Sequence, residues 1–280
     1  MPANAQGPSI PEATAGEDLS AKRKIQLKFK LRRIFGEMYV GKRMKRHGLR
    51  RARKTFSPSP GARVLEVGSE DGSFTEWFDR LWPQVTMEGL EVDPVHAEAC
   101  AAWAESSGRA PKLTFRRGNL LDLEANRAYD LILCFDVLGY IADDARAITR
   151  LSEALRPGGR LVIHQPNVRY REFSGTMHHI SNEESGKITE GHVRHGYSPE
   201  GLARLLEAGG LTIEKLECWH GPYSDLAHKV YRWCERPSFL RIAALPVLDL
   251  LWWVDSMLPH AHGNTVFAVA RIKQDGASNG

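Results

Sequence analysis

The segment VLEVGSEDGSF, residues 64–74, has a spacing that can do chemistry. An apolar run leads into Gly68, and Gly72 opens a helix-like stretch. The backbone must therefore turn sharply and lie so close to any ligand above it that a Cβ would collide. Twenty-three residues beyond Gly68, Glu91 ends the next apolar run. A carboxylate at that tip can accept hydrogen bonds from both hydroxyls of a ribose. Turn and acid together describe a nucleoside-bearing cofactor without choosing between NAD and S-adenosylmethionine. A second reactive group lies in 164–197: His164, His178, His179, His192 and His195, with Glu183, Glu184 and Glu190. One such histidine could take the proton of an acceptor hydroxyl, worth about 10² to 10⁴ in rate; the bland alternative is that each only hydrogen-bonds within its loop. His192-x-x-His195 with Glu190 is a weak metal pattern, because no further ligands follow at familiar spacing.

These residues need elements to hold them. From Ala62 onward short apolar runs alternate with helix-like segments, the pattern of a parallel sheet with crossover helices. Strands are expected at 62–68, 85–92, 113–118, 130–136, 160–166, 211–218 and 265–272, and helices at 73–82, 94–107, 145–159 and 198–210. Between the last two strands, 219–264 is far too long for a hairpin loop and reads as a helical insertion. There are no internal repeats.

Three further stretches decide between the cofactors. RRGNLLDL (116–123) follows strand three, DLILCFDVLGYI (130–141) forms strand four and its exit, and LRPGGRLVIHQPN (155–167) leads through strand five. With the glycine turn and GHVRHGYSPEGLARLLEAGGL (191–211), they resemble the class I S-adenosylmethionine-dependent methyltransferases, in particular the branch of ubiquinone-pathway and glycan-cluster enzymes. The resemblance covers roughly 60–217 and the terminal strand. It implies an α/β, doubly wound, Rossmann-like sheet of seven strands with the last antiparallel, and S-adenosyl-L-methionine over the carboxyl ends of strands one to three. It places Glu66, Gly68, Ser69 and Gly72 under the methionine part, Glu91 on the ribose, Asn119 and Leu120 beside adenine, and Phe135 and Asp136 next to the transferable methyl. His192, just before the SPEGL helix, is the implied base. Two positions depart from the pattern: Glu70 replaces a middle glycine, and Gly139-Tyr140 stand where Glu-His is common.

Composition bounds the rest. The chain has 280 residues, ordinary apolar and charged fractions, and four cysteines (Cys100, Cys134, Cys218, Cys234) without CxxC spacing, which fits a reducing compartment. The net charge of +4 conceals a segregation: residues 22–54 hold 15 Lys/Arg against Glu37 alone, a local +14, leaving −10 elsewhere. Residues 1–21 lack an apolar core and read as a disordered tail rather than a signal peptide, as do 274–280. Residues 22–56 form a basic helical arm before a catalytic domain at 57–273. Its expected apolar face is Leu27, Leu31, Ile34, Phe35 and Met38. In the insertion, Val247, Leu250, Leu251, Val254 and Leu258 share a helical face beside Trp252 and Trp253. Phe239–Leu258 is interrupted by Arg241, Pro246, Asp249 and Asp255, too often for a membrane span.

The expected activity is O-methylation of a small or lipid-linked acceptor, such as a glycan or polyprenyl/quinone-type molecule. The arm would seat a cytoplasmic enzyme on an anionic membrane surface, with both appendages equally open to plain packing roles. Two alternatives stand beside it: an RNA methyltransferase guided by the arm, and a cofactor-binding but non-catalytic partner protein. Few aromatics interleave the basic run, and Phe135-Asp136-Val137-Leu138 stands where base N-methylation would favour an Asn-Pro-Pro-Tyr-like tetrapeptide, so nucleic acid is the weaker partner.

Overall fold

The computed structural model of the chain describes residues 15–37, 39–124, 127–180, 191–234 and 238–272. Its centre is a seven-stranded sheet: β1 (Arg63–Val67), β2 (Thr86–Glu91), β3 (Leu113–Arg117), β4 (Tyr129–Phe135), β5 (Leu155–Pro166), β8 (Leu211–Trp219) and β9 (Thr265–Ile272). A two-stranded ribbon, β6 (Arg169–Arg171) and β7 (Met177–His179), stands apart from it. The order across the sheet is β3-β2-β1-β4-β5-β9-β8, and β9 runs antiparallel to both its neighbours. The order reverses between β1 and β4, whose carboxyl ends therefore open the crevice in which such sheets bind ligands.

Helices cover both faces. On one, α3 (Ser73–Leu81) and α4 (Pro94–Ser106) bury Phe74, Phe78 and Cys100 against Met87, Leu113 and Leu131 of the sheet. On the other, α5 (Asp144–Ala154) and α6 (Pro199–Ala208) bury Ile148, Leu151, Leu202 and Leu206 against Leu65, Ile132 and Leu161. Asp93 caps α4 by accepting from the Val95 and His96 amides, and Ser198 caps α6 through Gly201 N. The helix expected to run to residue 159 stops at Ala154. Leu155 already pairs with Tyr129, so Pro157-Gly158-Gly159 lies inside β5.

The N-terminal arm departs from expectation. It is two helices, α1 (Ala15–Phe35) and α2 (Val40–Ala52), separated where Gly36 adopts a φ of +73° and its amide closes back on the Arg32 carbonyl. Residues 15–21 of the expected tail belong to α1, helped by Asp18 near the positive end of the helix dipole; residues 1–14 and the C-terminal tail lie outside the described residues. The buried stripe of α1 is Ile25, Phe29 and Arg32, whereas Leu27 and Ile34 of the expected apolar face are 53% and 71% exposed; Met38 is not among the described residues. Phe29 decides the packing, since its ring stacks on Trp103 of α4 at 3.8 Å. Leu49 and Ala52 of α2, with Phe56 after it, continue into the same core.

The insertion folds as α7 (Pro222–Trp233) and α8 (Ser238–Met257). Again the buried face is rotated from the expected one: Leu248, Trp252 and Asp255 point inward, while Val247, Leu250, Trp253 and Met257 are exposed. Asp255 explains the rotation. Its buried carboxylate accepts from Gly221 N (2.9 Å), Tyr223 N (3.1 Å) and Ser224 Oγ (2.7 Å), satisfying the donors at the start of α7. No described helix is long and apolar enough to cross a membrane.

Candidate active site

The glycine turn joins β1 to α3. Gly68 (φ +72°) could not carry a side chain, because its Cβ would meet Val137 Cγ2 at 2.5 Å, and Gly72 (φ +68°) begins α3 in a similarly left-handed conformation. Glu70 between them is also left-handed (φ +49°). Its amide donates to Glu91 Oε2 at 2.6 Å, while Asp93 N donates to Glu91 Oε1 at 3.0 Å. Glu91 thus fixes the turn from the tip of β2, keeping lone pairs free on each oxygen for a ligand. The Ser69 and Ser73 hydroxyls are buried in this turn without a protein partner. A built cradle with unsatisfied hydroxyls fits an amino-acid-bearing nucleoside, which brings its own donors and acceptors.

Glu66 is buried beneath the turn, with Thr75 Oγ1 donating to it. Burial outweighs that hydrogen bond and the nearby Lys42, pushing its carboxyl up to about 8. Asn119, following β3, caps a short 3-10 turn through Oδ1 to Leu121 N at 2.9 Å, which leaves its amide group for a base edge; Leu120 is buried beside it. Phe135, at the end of β4, packs edge-on to Phe74 at 5.5 Å.

The arm closes over this cradle. Lys42 Nζ lies 2.6 Å from Asp71 Oδ1 and 3.0 Å from Glu70 Oε2, and Arg32 and Lys28 of α1 reach the other oxygen of Asp71 at 3.4 and 3.2 Å. Burial alone would raise Asp71, yet these cations hold it well below the usual carboxylate range. Arg46 Nη2 donates to the Ser73 carbonyl at 2.8 Å. The charge of Glu70, out of place for a glycine position, is therefore met by a lysine from the arm.

One turn further along α2, Lys45 pairs with Asp136 Oδ2 at the exit of β4. The other oxygen, Oδ1, is 2.8 Å from His164 Nδ1 on β5. Asp136 is left-handed (φ +58°), a backbone conformation held in place by its surroundings. Burial opposes its charge, but Lys45 and His164 together hold it ionised, well below the ordinary value. An ionised Asp136 must accept, so His164 Nδ1 carries the proton. Burial keeps that imidazole neutral, and its Nε2 is buried with no protein partner. His164 was one of several histidines in the sequence; only the fold pairs it with Asp136.

His192 lies elsewhere on the rim. Its ring packs on Tyr140 at 3.8 Å, and a Cβ on Gly139 would meet it at 3.1 Å. The departures at Gly139 and Tyr140 thus make room for, and a platform under, His192. His178 pairs with Glu172 at 3.0 Å, away from the cradle on the small ribbon. Glu183, Glu184 and Glu190 lie outside the described residues, and among the described residues no group of three metal-binding side chains converges.

A family model described as a methyltransferase domain matches residues 40–216. The chain belongs to that methyltransferase family. The match begins at the first residue of α2, so it includes the helix whose lysines reach the cradle. The chain is 30% identical over 146 residues to a trans-aconitate 2-methyltransferase of Deinococcus radiodurans, covering 50% of the chain and 53% of that protein. It is 27% identical over 167 residues to a ubiquinone biosynthesis O-methyltransferase of Nitrobacter winogradskyi, covering 59% of the chain and 62% of that protein. The chain thus spans little more than half the length of these curated relatives. Among solved structures, a phosphoethanolamine N-methyltransferase 2 of Haemonchus contortus superposes with a TM-score of 0.61 at 15% identity (88% of this chain, 60% of that one). An S-adenosylmethionine-dependent methyltransferase of Mesorhizobium loti gives 0.55 at 20% identity (81% and 99%). At such identities the structures attest the fold, and the class I methyltransferase architecture expected from the residues is borne out.

Proposed function

We propose that this methyltransferase transfers a methyl group from S-adenosyl-L-methionine to a hydroxyl of a small or lipid-linked acceptor. The observation that carries the reading is the Asp136–His164 pair at the β4 and β5 carboxyl ends, next to a glycine turn that leaves buried hydroxyls unpartnered. The chemistry supplied by the bound cofactor is a sulfonium-activated methyl, open to in-line displacement. Ser69, Ser73 and the turn amides hold the methionine end, Glu91 the ribose, and Asn119 with Leu120 the adenine. Asp136 fixes the His164 tautomer and stabilises the imidazolium as Nε2 takes the acceptor proton. We assign the base role to His164 rather than His192, because His164 has a carboxylate partner and a second nitrogen without a protein partner, whereas His192 stacks on Tyr140. His192 and Tyr140 then form part of the rim that positions the acceptor.

The relatives named trans-aconitate 2-methyltransferase and ubiquinone biosynthesis O-methyltransferase support a small acceptor methylated on oxygen. The exposed face of α8 (Val247, Leu250, Trp253, Met257) supports an acceptor or site of action at a lipid surface. The RNA alternative is weakened because Lys28, Arg32, Lys42, Lys45, Arg46 and Arg51 of the arm pair with acids of the protein itself. The test is twofold. Calorimetric titration with S-adenosylhomocysteine should show one-to-one binding; no heat at millimolar ligand ends the transferase reading. A labelled-methyl assay against fractionated lipid, glycan and RNA pools should then mark the lipid or small-molecule fraction, and label confined to RNA would reverse the choice of acceptor.

A further inference from the structure

Behind the cradle, a cavity of about 320 Å³ lies among α1, α2, α3 and α8. It takes no part in the reading above. Five guanidinium side chains line it, from Arg32, Arg43, Arg46, Arg50 and Arg80. Three carboxylates share the lining with them, and Arg32 also reaches Asp71 outside it at 3.4 Å. Asp249 takes Arg43; Glu76 takes Arg32 and Arg80; Glu37 lies 3.2 Å from Arg46 Nη2. His47 hydrogen-bonds Asp249 at 3.3 Å and is kept neutral by burial. Within the lining, five guanidinium groups face three carboxylates.

The donors are not used up either. Arg46 Nε is buried with no acceptor. Arg50 has no carboxylate within ion-pair distance among the described residues; its guanidinium lies 5.9 Å above the Trp77 ring. Burial and the neighbouring Arg32 and Arg50 pull the Arg46 guanidinium down to about 10, opposed by Glu37. Arg46 Nε is a buried donor without an acceptor, which is costly unless an anion joins it, and the exposed Arg50 keeps its donors free for a ligand. Forked guanidinium donors match the oxygens of phosphate, whose negative charge offsets the cationic lining. The volume exceeds what one phosphate fills and leaves room for the group that carries it.

We propose that this cavity binds a phosphate group, with Arg46 Nε and the Arg50 guanidinium as its donors. The phosphate could belong to a soluble phosphorylated molecule or to a lipid headgroup. The second source has an anchor at hand, because Asp249 of the cavity wall and the exposed Val247, Leu250 and Trp253 belong to the same helix.

The experiment uses the full chain without cofactor, so its failure and that of the transferase reading are separable. Inorganic phosphate, titrated against sodium chloride of equal ionic strength, should bind saturably and raise Tm in proportion to occupancy. Arg50→Gln should weaken phosphate binding at least about fivefold, and Arg50→Lys less, since a point charge replaces a fork. Arg50→Gln should leave S-adenosylhomocysteine binding and the Tm in chloride unchanged, because Arg50 holds no ion pair. Arg80→Gln provides a second variant at the far wall. Phosphate stabilising no more than chloride, or binding equally to wild type and both glutamine variants, overturns the site. Sedimentation with phosphatidylcholine vesicles, with and without phosphatidic acid, separates the sources. Recruitment by phosphatidic acid that free phosphate reverses and Arg50→Gln abolishes identifies a headgroup, whereas phosphate binding without recruitment identifies a soluble ligand.

Discussion

Lys42 and Asp71 meet at 2.6 Å, and through that contact a helix ahead of the sheet joins the glycine turn after β1. Breaking a buried ion pair from one side costs about 3–5 kcal/mol. Asp71 keeps Arg32 and Lys28, so the lower end applies. Lys42→Met should lower Tm by roughly 6–12 °C, taking about 2–4 °C per kcal/mol for a chain of this size. It should also weaken S-adenosylhomocysteine binding, because Glu70 then faces the ligand uncompensated. Glu70→Gly in the intact protein should bind at least as tightly as wild type, since glycine accepts φ +49° without strain. Differential scanning calorimetry and calorimetric titration read both effects; a Lys42→Met variant with unchanged Tm would separate the arm from the turn.

His164→Gln and Asp136→Asn should each reduce methyl transfer by about 10²-fold or more while cofactor binding persists. Burial holds the His164 imidazole below its ordinary value, so it stays neutral at pH 7, and turnover should not fall between pH 8 and 7 through loss of this base. His192→Ala should raise KM more than it lowers kcat. The reverse split would return the base role to His192.

Glu66 makes stability depend on pH in a defined direction. Its carboxyl is held near 8 in the folded protein, from an ordinary value of 4.5, so folding retains a proton across that interval. The stabilisation is full below about pH 4.5 and is lost as pH rises through about 8. Glu66→Gln has no charge to bury. Its Tm relative to wild type should therefore rise from pH 5 to pH 9, by about 4 °C or more if one or two kcal/mol are involved. A difference that stays flat across that range would mean Glu66 is ionised throughout.

The arm cannot be removed as a detachable tether. A truncated chain beginning at Ser57 loses Ile25, Phe29, Leu49 and Phe56, each at most 2% exposed, and uncovers Trp103 and Phe78. Losing one large buried side chain already costs about 3–5 kcal/mol. The truncated protein should bind a hydrophobic dye and lack a cooperative unfolding transition, in contrast to the full chain.

Two adjacent tryptophans should behave oppositely. Trp252 is 1% exposed and packs with Val40, Ala227 and Leu248; Trp252→Ala should cost about 3–5 kcal/mol. Trp253 is 53% exposed, so Trp253→Glu should change stability by about 0.5 kcal/mol or less. If α8 meets a lipid surface, Trp253→Glu should also reduce sedimentation with vesicles, and equal recovery would remove that surface from the lipid reading.

Local order dictated much of this protein. Gly68, Gly72 and Glu91 announce the turn because a left-handed backbone and a strand-tip acid are requirements of single positions, readable one residue at a time. The alternation of strands and crossover helices is likewise written in short apolar runs, and the class of sheet follows from it. What residues 22–54 do is not written there. Their helical periodicity offers Leu27 and Ile34 as an apolar face, yet Phe29 finds Trp103, and Arg32 finds Asp71 and Glu76, so the helix turns the other side inward. A helix can choose among its faces, and long-range partners make the choice. The same holds for Asp255, which rotates α8 by capping α7, and for His164, one histidine among several until β4 and β5 bring Asp136 beside it. The segregation of +14 from −10 seemed to set the arm apart from the enzyme. Opposite charges at short range did the reverse, and drew it over the site.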